Sequence, residues 1–180
     1  MDLFFITGNN KKFEEAQLIL PSLKQLNIDL PEIQEIDAHK VVENKIKEAL
    51  KHKNGNIIVE DTSLYLDCLN GLPGPLIKWF TKTIKINGLA KIAHKLENTH
   101  AQAKTIVGYA ENPSKIFFFE GIIEGNIVTP RGERVVFGWN SIFQPTDHSK
   151  TFAEMDLIEK NQLSMRGIAF QKLKEFLENK

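Results

Sequence analysis

The apolar residues of this chain fall into short runs separated by glycine- and asparagine-rich breaks, and their spacing alternates between the period of a strand and that of a helix. Leu3 to Ile6 is apolar and ends at Thr7-Gly8-Asn9-Asn10; Phe13, Ala16 and Leu20 then share one helical face, which predicts strand, tight loop, helix. A second strand is expected over Leu26 to Leu30, ahead of Pro31-Glu32. Val42, Ile46, Ala49 and Leu50 follow at the i, i+4, i+7, i+8 spacing of an amphipathic helix, which Asn54-Gly55 stops. The β-branched run Ile57-Ile58-Val59 reads as a buried strand ending in the acidic pair Glu60-Asp61.

Leu64 to Leu69 continues as an extended segment, and Gly71-Leu-Pro-Gly-Pro75 is a rigid loop, because proline fixes φ. Helical patterns are expected over Leu76 to Lys85 and Leu89 to Leu96. Ala101 to Tyr109 and Ile116 to Ile123 have strand character and flank a turn signal at Glu111-Asn-Pro-Ser114, so they read as a hairpin, with a second turn at Glu124-Gly-Asn126. Thr129-Pro-Arg-Gly132 and Val136-Phe-Gly-Trp139 follow. A closing helix carries Ala169, Phe170, Leu173, Phe176 and Leu177 as its apolar stripe. There is no internal repeat, low-complexity tract or Gly/Ser linker, so residues 1–180 are expected to form one α/β domain around a central mixed sheet flanked by helices.

Charge narrows the partners. The 23 basic and 23 acidic residues sum to zero, which argues against a protein whose affinity comes from covering a nucleic-acid backbone, while leaving room for a small anionic ligand. The single cysteine, Cys68, can form no internal disulfide and points to a reducing compartment. No apolar run reaches the ~20 residues that span a bilayer and the N-terminus has no basic region, so a cytoplasmic protein without a membrane partner is expected.

Several polar groups stand where open α/β sheets place ligands, at the ends of strands. Thr7-Gly8-Asn9-Asn10-Lys11-Lys12 would present backbone N–H groups and a helix N-terminus to an anion, although it lacks the glycine and Lys-Ser/Thr spacing of a P-loop and reads equally as a polar turn with solvated lysines. Glu60, Asp61 and Glu32 supply the oxygen ligands that Mg²⁺ prefers; each taken alone also fits a helix cap or a solvated loop. Phe137-Gly138-Trp139 offers aromatic faces for a flat base, or simply core. Arg166 could donate a fork of hydrogen bonds to a purine carbonyl or a phosphate, or sit on a solvated helix face. The five histidines are scattered without metal-binding spacing.

Read in order, Thr7-Gly-Asn-Asn-Lys-Lys12, Val59-Glu-Asp-Thr62, Gly71-Leu-Pro-Gly-Pro75 with Ile77-Lys-Trp-Phe80, Thr129-Pro-Arg-Gly132, Phe137-Gly-Trp139, Phe152-Ala-Glu-Met155 and Lys160-Asn161 with Ser164 and Arg166 resemble the Ham1-type inosine triphosphate pyrophosphatase family over nearly the whole chain. The resemblance implies two lobes with a substrate cleft between them, a homodimer, and Mg²⁺-dependent hydrolysis, with Mn²⁺ as a substitute. The implied substrates are purine nucleoside triphosphates with a 6-oxo base (ITP, dITP, XTP), cleaved to monophosphate and pyrophosphate. Position by position, it places Thr7, Gly8, Asn9, Asn10, Lys11 and Lys12 on the triphosphate. Glu32 and Asp61 fall on Mg²⁺ with Glu60 nearby, and Lys45 on phosphate with Lys47 as fallback. Thr62 and Lys78 line the substrate site, and Phe137, Gly138, Trp139 and Asn140 meet the base, with Lys160, Met165 and Arg166 closing over it. Asp61 or Glu60 would be the base that activates water; the sequence leaves metal ligand and base unseparated. Two positions depart from the family pattern. Asn140 stands where Asp is usual and Met165 where His is usual, which points to altered base choice. The alternative is a nucleotide-binding sensor or sequestering protein of the same fold with weak or no turnover.

Overall fold

The computed structural model describes residues 2–132 and 138–180. Among these, seven strands form one mixed sheet: β1 (Phe4–Ile6), β2 (Lys24–Leu26), β3 (Ile57–Leu66), β4 (Pro73–Gly74), β5 (His100–Asn112), β6 (Lys115–Ile127) and β7 (Phe143–Pro145). Their order is β2-β1-β3-β5-β6-β7, with β4 paired to β3. β1 runs parallel to β2 and β3, and the remaining pairings are antiparallel. The helices are α1 (Asn10–Gln17), α2 (Ala38–His52), α3 (Ile77–Thr83), α4 (Lys85–Lys95), α5 (Leu157–Leu163) and α6 (Met165–Glu178).

The strand alternation sorts β3 onto two faces. Ile57 and Val59 pack with Val42, Ile46 and Ala49 of α2, whereas Ile58 packs on the other face with Ala16 of α1 and Ala169, Phe170 and Leu173 of α6. A third cluster gathers the opposite halves of the long strands, Leu64, Leu66, Ala101, Ala103 and Ile127, with Leu89 and Ala93 of α4 and with Trp139, Phe143 and Phe152. Two lobes result, and β3, β5 and β6 run through both.

The structure departs from the sequence expectations where pairing partners override local signals. β3 does not stop at Glu60-Asp61. It continues to Leu66 because β5 pairs with it at every position from Ile57↔Ala110 to Leu66↔Ala101, so the acidic pair lies mid-strand. The second strand is Lys24–Leu26 rather than Leu26–Leu30, since β1 offers only Phe4 to Ile6 as partners. The turn expected at Glu124-Gly-Asn126 is instead inside β6, where Gly125 lets the Gln144 carbonyl and the Phe143 ring approach to within 2.6 Å of where a Cβ would be. The expected helices after Pro75 appear as α3 and α4, divided at Lys85, whose φ is 61°. β7 and α5 carried no readable periodicity, being too short to repeat an apolar pattern.

Gly121 of β6 controls how α6 sits. A Cβ there would lie 1.9 Å from the Met165 carbonyl oxygen and 2.8 Å from the Ala169 nitrogen, so only glycine lets the first turn of α6 rest directly on the sheet. Gly121→Ala is expected to cost about 3 kcal/mol in urea denaturation. It should also weaken any ligand contact made by Met165 or Arg166; an unchanged denaturation midpoint would show that α6 is not seated there.

Candidate functional site

A cleft of about 650 Å³ opens between the lobes. Its lining includes Thr7, Gly8, Asn9 and Lys12 from the β1–α1 turn, Glu32 and Lys45, Glu60 and Thr62 of β3, Lys78 of α3, and Gly138, Trp139, Asn140, Met165 and Arg166. These residues come from segments more than a hundred positions apart.

The β1–α1 turn is shaped by its own polar side chains. The Asn9 backbone N–H donates to Thr7 Oγ1 at 3.1 Å, and Asn9 caps α1 by accepting from the Lys12 N–H at 3.2 Å. Asn10 and Lys11 are exposed and outside the cleft lining; Asn10 Oδ1 accepts from Gln25 Nε2. Lys12 turns inward, its ammonium 2.6 Å from Glu60 Oε1.

Glu60 belongs to a buried ion network that the α1–α6 side of the sheet encloses. Arg166 donates from Nε to Glu60 Oε2 at 2.8 Å, from Nη2 to Glu60 Oε1 at 3.2 Å and to Thr62 Oγ1 at 3.1 Å, and from Nη1 to Glu15 Oε2. Lys160, with its side chain 6% exposed, donates to Glu15 Oε1 at 2.6 Å. Burial opposes ionisation of Glu60, but the Arg166 and Lys12 charges outweigh it and hold this carboxyl well below the usual range; Glu15 is lowered in the same way against burial by Arg166 and Lys160. Arg166 is likewise disfavoured by burial yet stabilised in its charged form by Glu60 and Glu15. Lys160 therefore lies behind Arg166 in the network rather than on the cleft wall.

Asp61 points to the other face, as its place next to Glu60 in a strand requires. It accepts from Ser63 Oγ at 2.9 Å and from Lys45 Nζ at 3.3 Å. Lys45 also forms an ion pair with Glu32, which Lys78 approaches at 3.5 Å. Burial lowers the pKa of Lys45, but Asp61 and Glu32 more than reverse this, so it stays charged. Lys47, the fallback, pairs with Glu43 on the exposed side of α2.

Among the described residues, no three of His, Cys, Asp and Glu gather closely enough to hold a metal alone. Glu32 and Asp61 nevertheless converge on one positive centre, the Lys45 ammonium, and so fit a Mg²⁺ ion whose remaining ligands are substrate phosphates and water. Glu60 does not fit that site: it faces the opposite side of the sheet and both its oxygens are taken by Lys12 and Arg166.

Around Arg166 the wall is less polar. Met165 is 2% exposed and Asn140 8%, and the buried Trp139 packs edge-on to Phe143, so its ring belongs to the lobe core as well as to the cleft. Phe137 lies outside the described residues. The sequence reading missed Glu15, Asp29, Gln34 and Trp79. Glu15 had only one signal, a carboxylate beside Ala16 on the apolar face of α1, and its partners lie some 150 positions away.

Residues 3–176 match the profile of the Ham1 family. The chain is 42% identical over 181 residues to the inosine triphosphate pyrophosphatase of Schizosaccharomyces pombe, covering 98% of this chain and 95% of that protein. It is 39% identical over 189 residues to the protein of the same name from Saccharomyces cerevisiae, with 98% and 95% covered. The solved structure of the Staphylococcus aureus Ham1 protein superposes with a TM-score of 0.84 at 23% identity, covering 99% of each chain, and shares the fold. No described helix is long and apolar enough to cross a membrane.

The network sets a pH dependence. Glu15 and Glu60 titrate near 4.5 when unfolded and lower when folded, so their contribution is complete above that pH and is lost progressively as pH falls below it. Glu15→Ala should destabilise the protein by about 3 kcal/mol at pH 7 by leaving buried cations uncompensated. The same variant should flatten the acid limb of a denaturation series from pH 7 to pH 3; an unaltered limb would remove Glu15 from the network.

Proposed function

Because the chain belongs to the Ham1 family, we propose that it hydrolyses purine nucleoside triphosphates with a 6-oxo base between the α and β phosphates, yielding monophosphate and pyrophosphate with Mg²⁺ as cofactor. The observation that carries this reading is the convergence of Lys12, Lys45, Lys78 and Arg166 on one cleft that also holds Glu32, with Asp61 directly behind Lys45. A nucleoside triphosphate brings several negative charges close together, and attack at phosphorus requires them to be neutralised and the nucleophile aligned. The backbone of Thr7 to Asn9 and the three lysines bind and orient the phosphates. Glu32 and Asp61 hold the metal, which when bound neutralises phosphate charge and makes water more acidic. Asp61, with its second oxygen held by Ser63, would orient the attacking water beside the metal.

Glu60 has a different task in this reading. It fixes Lys12 and Arg166, the first for phosphate and the second for the base. Asn140 and Met165 flank Arg166 in the cleft wall, and replacing an acceptor-only carboxylate by an amide, and an imidazole by a thioether, changes which exocyclic groups are satisfied there. We therefore propose base selection that differs from strict preference for inosine and xanthosine.

Pyrophosphate release measured with Mg²⁺ across ITP, XTP, dUTP and the four common triphosphates tests both statements. Turnover of ITP is expected, with at least one other triphosphate within about a hundredfold in kcat/KM. Binding without release from any of them would identify a nucleotide-binding protein instead. Asp61→Asn should lower kcat by at least about a hundredfold in a protein that still folds by circular dichroism. Asn140→Asp with Met165→His should sharpen the preference for ITP and XTP; an unchanged order of substrates would free those positions from base selection.

A further inference from the structure

Lys45 stands where a metal ion bound by Glu32 and Asp61 would stand. Its ammonium forms an ion pair with Glu32, lies 3.3 Å from Asp61 Oδ1 and 3.2 Å from the backbone carbonyl oxygen of Glu60, and its side chain is only 12% exposed. Three oxygens, the donor type that Mg²⁺ selects, are thus aimed at one cation supplied by the chain itself. An ammonium and a divalent ion cannot occupy this position together, since like charges at contact distance in a poorly hydrated site repel strongly. The arrangement also leaves an exit. Lysine carries a compact charge on a flexible four-carbon stem. Glu32 lies in a segment without regular structure, is a third exposed, and keeps Lys78 as a second partner.

We propose that Lys45 is a placeholder cation, which closes the Glu32–Asp61 site to metal in the nucleotide-free protein and moves to phosphate when a triphosphate enters. Divalent metal then binds only together with nucleotide. This rests on reading the cleft as a Mg²⁺-dependent triphosphate site. The polyanion supplies what draws Lys45 away, and the vacated carboxylates receive the ion that the nucleotide carries. Without the anion, Lys45 has nowhere better to go than between the two carboxylates. Glu60 has no such exit, because Arg166 and Lys12 grip both of its oxygens at buried positions.

The test uses Mn²⁺ as probe, followed by the electron paramagnetic resonance of the free ion and by thermal denaturation. Nucleotide-free wild-type protein is expected to bind little Mn²⁺ and to keep its Tm when Mn²⁺ is added, whereas with the non-hydrolysable α,β-methylene analogue of ITP it binds the ion. Lys45→Met and Lys45→Gln should each melt lower without metal, recover with Mn²⁺, and bind Mn²⁺ in the absence of nucleotide at least roughly tenfold more tightly than wild type. Adding Glu32→Gln to Lys45→Gln should remove that gain. Tight Mn²⁺ binding to the nucleotide-free wild type, or variants that gain no affinity, would overturn the proposal, and the wild-type arm decides even if the variants fold poorly. Pyrophosphate release by the wild type judges the enzyme reading separately. Release accompanied by tight nucleotide-free Mn²⁺ binding discards the placeholder alone, and nucleotide-dependent Mn²⁺ binding without release discards the reaction alone.

Discussion

The pairing of Arg166 with Glu60 is the constraint on which the rest of the cleft depends. Both side chains are 1% exposed, one at the first turn of α6 and the other in the middle of β3. Taking two charges out of water costs several kcal/mol each, so the pair is favourable only with its full complement of hydrogen bonds. That complement comes from Glu15 on α1, Lys160 on α5, Lys12 at the start of α1 and Thr62 on β3. Four helices and strands must therefore dock correctly before any one of these charges is satisfied. The glycine at 121 is a further part of the same constraint, since it sets the height at which α6 brings Arg166 to the sheet.

A second cluster on the opposite face follows the same rule with looser tolerances. Lys45 joins Glu32 and Asp61, and Lys78 approaches from the other lobe across the cleft. Here Glu32 and Lys78 are partly exposed and Glu32 is carried by an irregular segment, so its ion pairs are replaceable. The contrast separates fixed scaffolding from movable parts: the Arg166 cluster is rigid because breaking it strands a buried charge, and the Lys45 cluster can exchange partners.

Much of this was legible in the sequence, for identifiable reasons. The β1–α1 turn, α2 and the β5–β6 hairpin were readable because each carries a repeating apolar spacing with a turn residue beside it. The full length of β3 was not, since Glu60 and Asp61 resemble a strand end and only the presence of β5 along the whole edge shows otherwise. Lys12, Glu32, Glu60 and Asp61 are legible from their places at the ends of apolar runs, whereas Lys45 and Lys78 are reached only through family resemblance, because spacing alone cannot tell a converging lysine from a solvated one. Glu15 escaped both approaches. Its one local signal, a place beside Ala16 on the apolar face of α1, is too weak to set it apart, and its burial is decided by cations brought from α5 and α6. Lys160 was recognised as important, but its position behind Arg166 depends on that same long-range contact.

Glu60 and Asp61 are neighbours in the chain and strangers in space, because the pleat of β3 sends them to opposite sides of the sheet. On the proposed reading, one backbone segment thereby serves two parts of one cleft, with Glu60 holding Arg166 for the base and Lys12 for phosphate, and Asp61 holding Lys45. Substitutions beside Arg166, such as those at positions 140 and 165, can retune which nucleobase is accepted while the contacts of Asp61 with Lys45 and Ser63 stay in place. The pleat thus gives neighbouring residues separate partners within one cleft, so a lineage can wander in substrate choice without first giving up the contacts of Asp61.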